Sequence, residues 1–362
     1  MPKLTFKTVF AWGFLGFVPL SAIADHWEWG PLAVFGLSAL SILPLASWLS
    51  TATEELAVVW GPNLGGLLNA TFGNATELIV AAVALRAGLT GVVKASITGS
   101  IVGNLLLVLG LAVLLGGLKY KEQTFESTVA RLNASTMNLA VAAMALPSLL
   151  GFLSPQIEVS GASERIAVGT AIVALVMYAL TLVFSMKTHA YLYEAAVEME
   201  EEPDHKPSLR LWLGVLAVAT LAIAYESELL VGSFEVAAKQ LGLTPLFAGL
   251  IAIPIIGNAA EHATAVTVAV KNKMELAVSI AVGSSLQIAL FVAPVLVLLG
   301  AAIGQPMDLS FSAPEIAVVA IAVLLVNSIA SDGRSNWLEG ALLLGTYSII
   351  GVSFYFYPVA AI

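Results

Sequence analysis

Eleven stretches of this chain run for roughly 18 residues or more with few or no charges: 8–24, 31–60, 64–86, 92–117, 128–150, 166–187, 209–240, 245–270, 275–300, 313–330 and 336–358. Coiled as α-helix, that length crosses the ~30 Å of hydrocarbon in a bilayer, where only helices and closed barrels satisfy their own backbone polar groups. A soluble domain carries about 25% charged residues. This chain carries 11%, against 59% apolar residues, too few to cover a water-facing surface. The sequence therefore predicts an all-α integral membrane protein with about eleven transmembrane helices. MPKLTFK and the apolar run behind it have the outline of a signal peptide. That run ends in DHWEWGP without a small-residue cleavage pattern, so it reads as a first span. Segments 31–60 and 209–240 run on through Glu54/Glu55 and Glu226/Glu228, and fit either tilted helices or helix pairs.

With the N-terminus cytoplasmic, eleven of the fifteen Lys and Arg side chains fall on that side, as the positive-inside bias favours. An odd number of spans then puts the C-terminus opposite. The chain has no cysteine, which excludes disulfides, thiolate chemistry and Cys-based metal centres.

One phrase occurs twice. Gly73-Asn74-Ala75 with Glu77 recurs as Gly257-Asn258-Ala259 with Glu261, a shift of 184 residues, and Gly99-Ser100 recurs as Gly283-Ser284 with the same shift. In each copy 21 uncharged residues precede the glutamate. The predicted topology runs the two copies through the membrane in opposite directions. The expected organisation is a leading helix (1–30), a first five-helix repeat (31–188), a cytoplasmic acidic helix or linker (189–207) and an inverted second repeat (208–362). Inverted repeats mark secondary transporters, which hold their substrate near the midplane between the halves. The linker concentrates Glu194, Glu198, Glu200, Glu201, Glu202 and Asp204, much of the net charge of −9. It reads either as a solvated connection or as a cation-attracting, regulatory element.

An ionised carboxylate at bilayer depth costs at least ~2.5–3.5 kcal/mol, so an intramembrane acid points to function. If Glu77 and Glu261 meet at the midplane, they form a hard oxygen site suited to Ca²⁺, which takes 6–8 oxygens. Two like charges that close cannot both ionise cheaply, so the pair takes up protons when the cation leaves. Asn74 and Asn258 precede their glutamates by three residues, a spacing that shares one helix face. Gly73, and Pro254 with Gly257, are weak points where a broken helix would release carbonyls toward a cation, though close helix packing explains the glycines equally well. Gly99 to Gly103 reads first as a small-residue packing seam. Ser100, Ser284 and Gln287 are supporting polar side chains or interhelical hydrogen bonds, and His262 is a proton relay or a packed histidine. Glu54/Glu55 and Glu226/Glu228, near span ends, read as an access path or as interfacial groups, and SDGRSNWLEG (331–340) as a structured turn and helix start.

GNATELI (73–79) and GNAAEHATA (257–265) resemble the paired signatures of the calcium/proton exchanger (CAX) family, within the calcium/cation antiporter superfamily. TATEELA (51–57), GSIVGNLLLVLG (99–110), GSSLQIALFV (283–292) and SDGRSNWLEG support the resemblance over nearly the whole chain. It implies a sodium/calcium exchanger-like fold with an acidic helix between halves, and Ca²⁺ export driven by a proton gradient. It also implies Glu77 and Glu261 as the ion-binding, proton-exchanging acids, supported by Asn74, Asn258, Ser100, Ser284 and Gln287. The half-sites are not equivalent, since the offset pairs Gln287 with Gly103. No cofactor is implied beyond the transported Ca²⁺ and H⁺. The expected partners are the bilayer and these ions, not nucleic acid, and a homo-oligomer stays open. Without the long N-terminal extension of regulated plant members, the chain fits a prokaryote-like exchanger of an inner membrane, or of a vacuole-like membrane in a eukaryote. The alternatives are an Na⁺/H⁺ antiporter, an intramembrane hydrolase built on Glu261 and His262, and a channel. The hydrolase lacks HExxH, GxSxG and cysteine, and the repeat argues against a channel.

Overall fold

The computed structural model describes residues 14–154, 161–192 and 207–357, and its helices follow the apolar runs. A 3₁₀ turn, Phe14–Gly16, leads into α1 (Phe17–His26). Then come α2 (Pro31–Gly61), α3 (Leu64–Phe72), α4 (Ala75–Arg86), α5 (Thr90–Tyr120), α6 (Ser127–Leu153), α7 (Ala162–Thr188) and α8 (Leu209–Gln240). The chain continues with α9 (Pro245–Gly257), α10 (Ala259–Val270), α11 (Met274–Ile303), α12 (Ala313–Asp332) and α13 (Trp337–Tyr355). Eight of these are long and apolar enough to cross a membrane, and the bent pairs α3–α4 and α9–α10 bring the number to ten. The described part of the first run is the short apolar helix that contains α1. Both long runs, 31–60 and 209–240, are single helices rather than helix pairs. The acidic stretch from Glu194 to Asp204 lies outside the described residues.

Helix boundaries have local causes. Pro31 occupies the first turn of α2, where its missing N–H is no loss, and Gly61 ends α2 with φ +77, a conformation that suits only glycine. Ser312 with Glu315 and Asn336 with Glu339 form reciprocal capping boxes that satisfy the first N–H groups of α12 and α13. Outward-facing leucine and isoleucine inside helices, such as Leu221, Leu324 and Ile349, belong to a surface solvated by lipid.

The chain folds as two compact units, Met1–Val92 with Glu202–Ala260, and Val93–Glu201 with Glu261–Ile362. In the first, α2 packs along α8 and α1 lies against α2, around a core that includes Leu45, Leu49, Leu56, Ala219 and Ile223. In the second, α5 packs on α13, α7 on α11 and α6 on α12. Strands β1 (Glu122–Thr124) and β2 (Arg334–Asn336) pair antiparallel, Gln123 opposite Ser335, so residues 331–340 form a turn, a strand and a helix start. Each of α5 and α11 contains a widened π turn, Gly103–Val108 and Ile288–Val292, at nearly the offset that relates the sequence copies. Such turns are rare and concentrate at functional sites.

The tightest packing seam differs from the expected one. A side chain on Gly103 would meet open space, because Gly103 opens the π turn. The close approach is between α5 and α13, where a Cβ on Gly340 would strike the backbone nitrogen of Leu114 and lie 2.8 Å from the carbonyl of Gly110. Gly340→Ala should therefore lower thermal stability in detergent by about 1–3 kcal/mol. Gly345→Ala, where nothing lies within 4 Å, should be neutral or slightly stabilising.

Candidate functional site

Both copies of the repeated phrase fall on helix breaks. The Gly73 N–H still bonds Asn69 O at 2.8 Å, but Asn74 (φ −108, ψ 31) leaves the helix and α4 restarts at Ala75, bent by 40°. In the second copy Asn258 (φ −95, ψ 7) interrupts between Gly257 and Ala259, and its backbone N–H and side-chain Nδ2 both donate to Pro254 O, at 3.0 and 3.1 Å. Both asparagines are almost wholly buried. Each asparagine sits at the joint, one residue before the restarted helix and three before its glutamate. Each glutamate occupies the first turn of the restarted helix, Glu77 in α4 and Glu261 in α10. There the free N–H groups and the helix dipole favour negative charge.

In the first unit the two phrases touch. A Cβ placed on Gly257 would lie 3.3 Å from Glu77 Oε1 and 3.5 Å from its Cγ, so the glutamate of the first copy packs against the glycine of the second. Any larger residue at 257 would press on the carboxylate.

In the second unit a polar chain runs through apolar surroundings. The Ser284 side chain hydrogen-bonds Glu261. Asn104 Nδ2 donates to Ser284 Oγ at 3.0 Å, and His262 Nε2 lies 3.3 Å from Asn104 Oδ1, a bond that requires the proton on Nε2. With Oγ already accepting from Asn104, the serine proton points to the carboxylate. The remaining oxygen, Glu261 Oε2, is shielded from solvent and has no hydrogen-bond partner among the described residues. Ser100 is buried and Gln287 half-buried on α5 and α11. Lys119 Nζ (2.9 Å) and Tyr120 OH (3.1 Å) donate to Val270 O, and Gln123 Nε2 (2.9 Å) to Ala269 O. These bonds meet the last carbonyls of α10 and so hold the helix that carries Glu261.

Asn104 is a site residue that sequence reasoning passed over. Its signal was a lone amide inside GSIVGNLLLVLG, the phrase that holds Ser100. Among the described residues no three His, Asp or Glu side chains gather as a metal cluster, so a cation here would depend on few carboxylates and on neutral amide, hydroxyl and carbonyl oxygens. Glu54 is exposed and accepts from Ser50 at 3.0 Å, while Glu228 pairs with Arg86 at 2.7 Å on the surface. Glu226 is fully buried, 17 residues into α8.

Comparison with known proteins gives one consistent answer. The sodium/calcium exchanger protein family model matches residues 30–187 and 211–356, two blocks that leave out the acidic stretch. A Ca²⁺/H⁺ antiporter of Synechocystis is 60% identical, the match covering 95% of this chain and 96% of that protein. The Ca²⁺/H⁺ antiporter ChaA of Bacillus subtilis is 45% identical over 93% of this chain and 96% of its own length. The solved structure of native YfkE, 40% identical, superposes with a TM-score of 0.84 over 96% of this chain and all of that one.

The hydrogen-bond chain makes a direct demand on stability. Asn104→Leu removes the partner of both Ser284 and His262, and should cost about 1–3 kcal/mol as two buried polar groups lose their bond. Thermal unfolding in detergent reads this. An unchanged midpoint would mean that these bonds do not form.

Proposed function

The chain belongs to the sodium/calcium exchanger protein family, and we propose that it exchanges cytoplasmic Ca²⁺ for H⁺ across its membrane by alternating access. In this reading it is a secondary antiporter and not an enzyme, with its N-terminus cytoplasmic. Glu77 and Glu261 are the exchanging carboxylates and act on the same ion. Asn74, Asn258 and the backbone at Gly73 and Gly257 supply neutral oxygens, with Ser100, Ser284, Gln287 and Asn104 as polar support. The observation that carries the proposal is the packing of Glu77 against Gly257, which brings the glutamate of one copy to the phrase of the other.

Magnitudes explain why such a site would exchange rather than simply hold. Each ionised carboxylate costs at least ~2.5–3.5 kcal/mol at membrane depth. A helix start returns about 0.3–1 kcal/mol, and up to ~2 in partly buried geometry. The helix ends reduce the cost without cancelling it for two acids. The remainder is met by a divalent cation or by protons, and either one excludes the other. Competition for the same oxygens thus couples the two ions. Ser284, itself held by Asn104, orients the Glu261 carboxylate and leaves Oε2 for the ion. Relatives described as Ca²⁺/H⁺ antiporters support Ca²⁺ over Na⁺ as cargo.

In everted vesicles with a fluorescent pH probe, Ca²⁺ should collapse an imposed proton gradient. Collapse by Na⁺ but not by Ca²⁺ would overturn the cargo assignment. Glu77→Gln and Glu261→Gln should each abolish exchange, and robust transport by either would remove that residue from the site. Gly257→Ala should impair exchange by crowding Glu77, whereas Gly283→Ala, with nothing within 4 Å of the added carbon, should leave it near the parent rate.

A further inference from the structure

Glu226 is a second kind of buried acid, outside the repeated phrases. It lies in α8 with none of its surface exposed, against Ser21 of α1 and Ser41 of α2, both also fully buried. Its Oε1 accepts from Ser21 Oγ at 2.7 Å. Its Oε2 has no hydrogen-bond partner among the described residues.

The protons can be counted. A serine hydroxyl has one proton to donate. Ser21 Oγ lies 2.7 Å from Val18 O, and Ser41 Oγ lies 2.8 Å from Leu37 O, each a bond to the serine's own helix. Ser21 therefore shares its one proton between Val18 O and Glu226 Oε1, and cannot satisfy both in full. An ionised Glu226 would bury a charge with only a shared hydroxyl proton on Oε1 and nothing on Oε2, a cost that a proton on the carboxyl removes. Among the described residues no cation pairs with Glu226: Arg86, at the end of α4, is engaged by Glu228 at 2.7 Å. The other titratable neighbours are Tyr225 on α8 and the exposed Asp25 and His26 at the end of α1. On α2 the acids Glu54 and Glu55 lie about 20 Å further along the helix from Ser41.

We propose that Glu226 is a proton-binding site distinct from the exchange glutamates, and that its proton fastens α1 to α2 and α8. Loss of the proton leaves a buried charge that one shared hydroxyl proton satisfies only in part, and α1 loosens to admit water. The attachment is therefore intact at low pH and weakens as pH rises. The site does not depend on the identity of the transported ion.

Two measurements on the full chain in liposomes test this. The infrared spectrum of the parent minus that of Glu226→Gln should show a protonated carboxyl band, the part contributed by Glu226, that declines with rising pH. Because the chain has no cysteine, Ala24→Cys on the buried face of α1 is a unique label site. The labelling rate in the Ala24→Cys chain, divided by its rate with Glu226→Gln added, should stay near one in acid. Past the midpoint that ratio should rise on the order of tenfold per pH unit, the response of a single titrating group. A ratio that stays at one at all pH values, or a parent-minus-variant spectrum without a protonated carboxyl band, overturns the proposal.

Discussion

A carboxylate inside hydrocarbon must be matched by a partner, and this requirement organises much of the molecule. Every helix satisfies its own backbone, so the bilayer tolerates long apolar spans cheaply. An acid is different, because each needs a helix start, a hydroxyl, a cation or a proton. The structure uses different solutions at different places. Glu77 and Glu261 stand in the first turns of restarted helices. Glu226 is enclosed by serines, and Glu228 escapes to the surface to meet Arg86.

The helix breaks follow from the same requirement. A continuous helix through Gly73 or Gly257 would consume the N–H groups that favour a buried carboxylate. Interrupting it at an asparagine creates a new helix start in the membrane and leaves carbonyls of the preceding segment outside the ladder. Anchoring then matters, since a half-helix has fewer contacts than a full span. Lys119, Tyr120 and Gln123 provide it for α10 by closing its last carbonyls. The polar chain from His262 through Asn104 to Ser284 orients its first turn.

How much of this was legible in the chain depended on the type of signal. Hydropathy runs are long and unambiguous, and each meets a helix over its described residues. The helix weak points at Gly73 and Gly257 were legible too, because glycine and proline leave a local mark. Helix faces were not. In water an amphipathic stripe reports which side is buried. In lipid both the packed side and the exposed side are apolar, so periodicity carries little information. That is why the close seam appeared at Gly110 and Gly340 rather than at Gly103, and why the full enclosure of Glu226, read as an access-path or interfacial acid, had no mark in the sequence. Asn104 escaped notice for a related reason. One amide in an apolar span has no pattern of its own, and its meaning comes only from Ser284 and His262 reaching it.

By itself, then, the sequence determined the membrane character, the spans, the repeat and the two glutamates, since each is written in local composition or in a fixed offset. Tertiary structure alone decided that Glu77 lies against Gly257, and that Asn104 links Ser284 to His262. It alone also enclosed Glu226 against Ser21 of α1 and left its second oxygen without a partner among the described residues. The physical reason is that hydrophobicity sets which segments enter the membrane. Only packing sets which polar atoms then find one another, and in an apolar solvent those few encounters decide where charge and protons can reside.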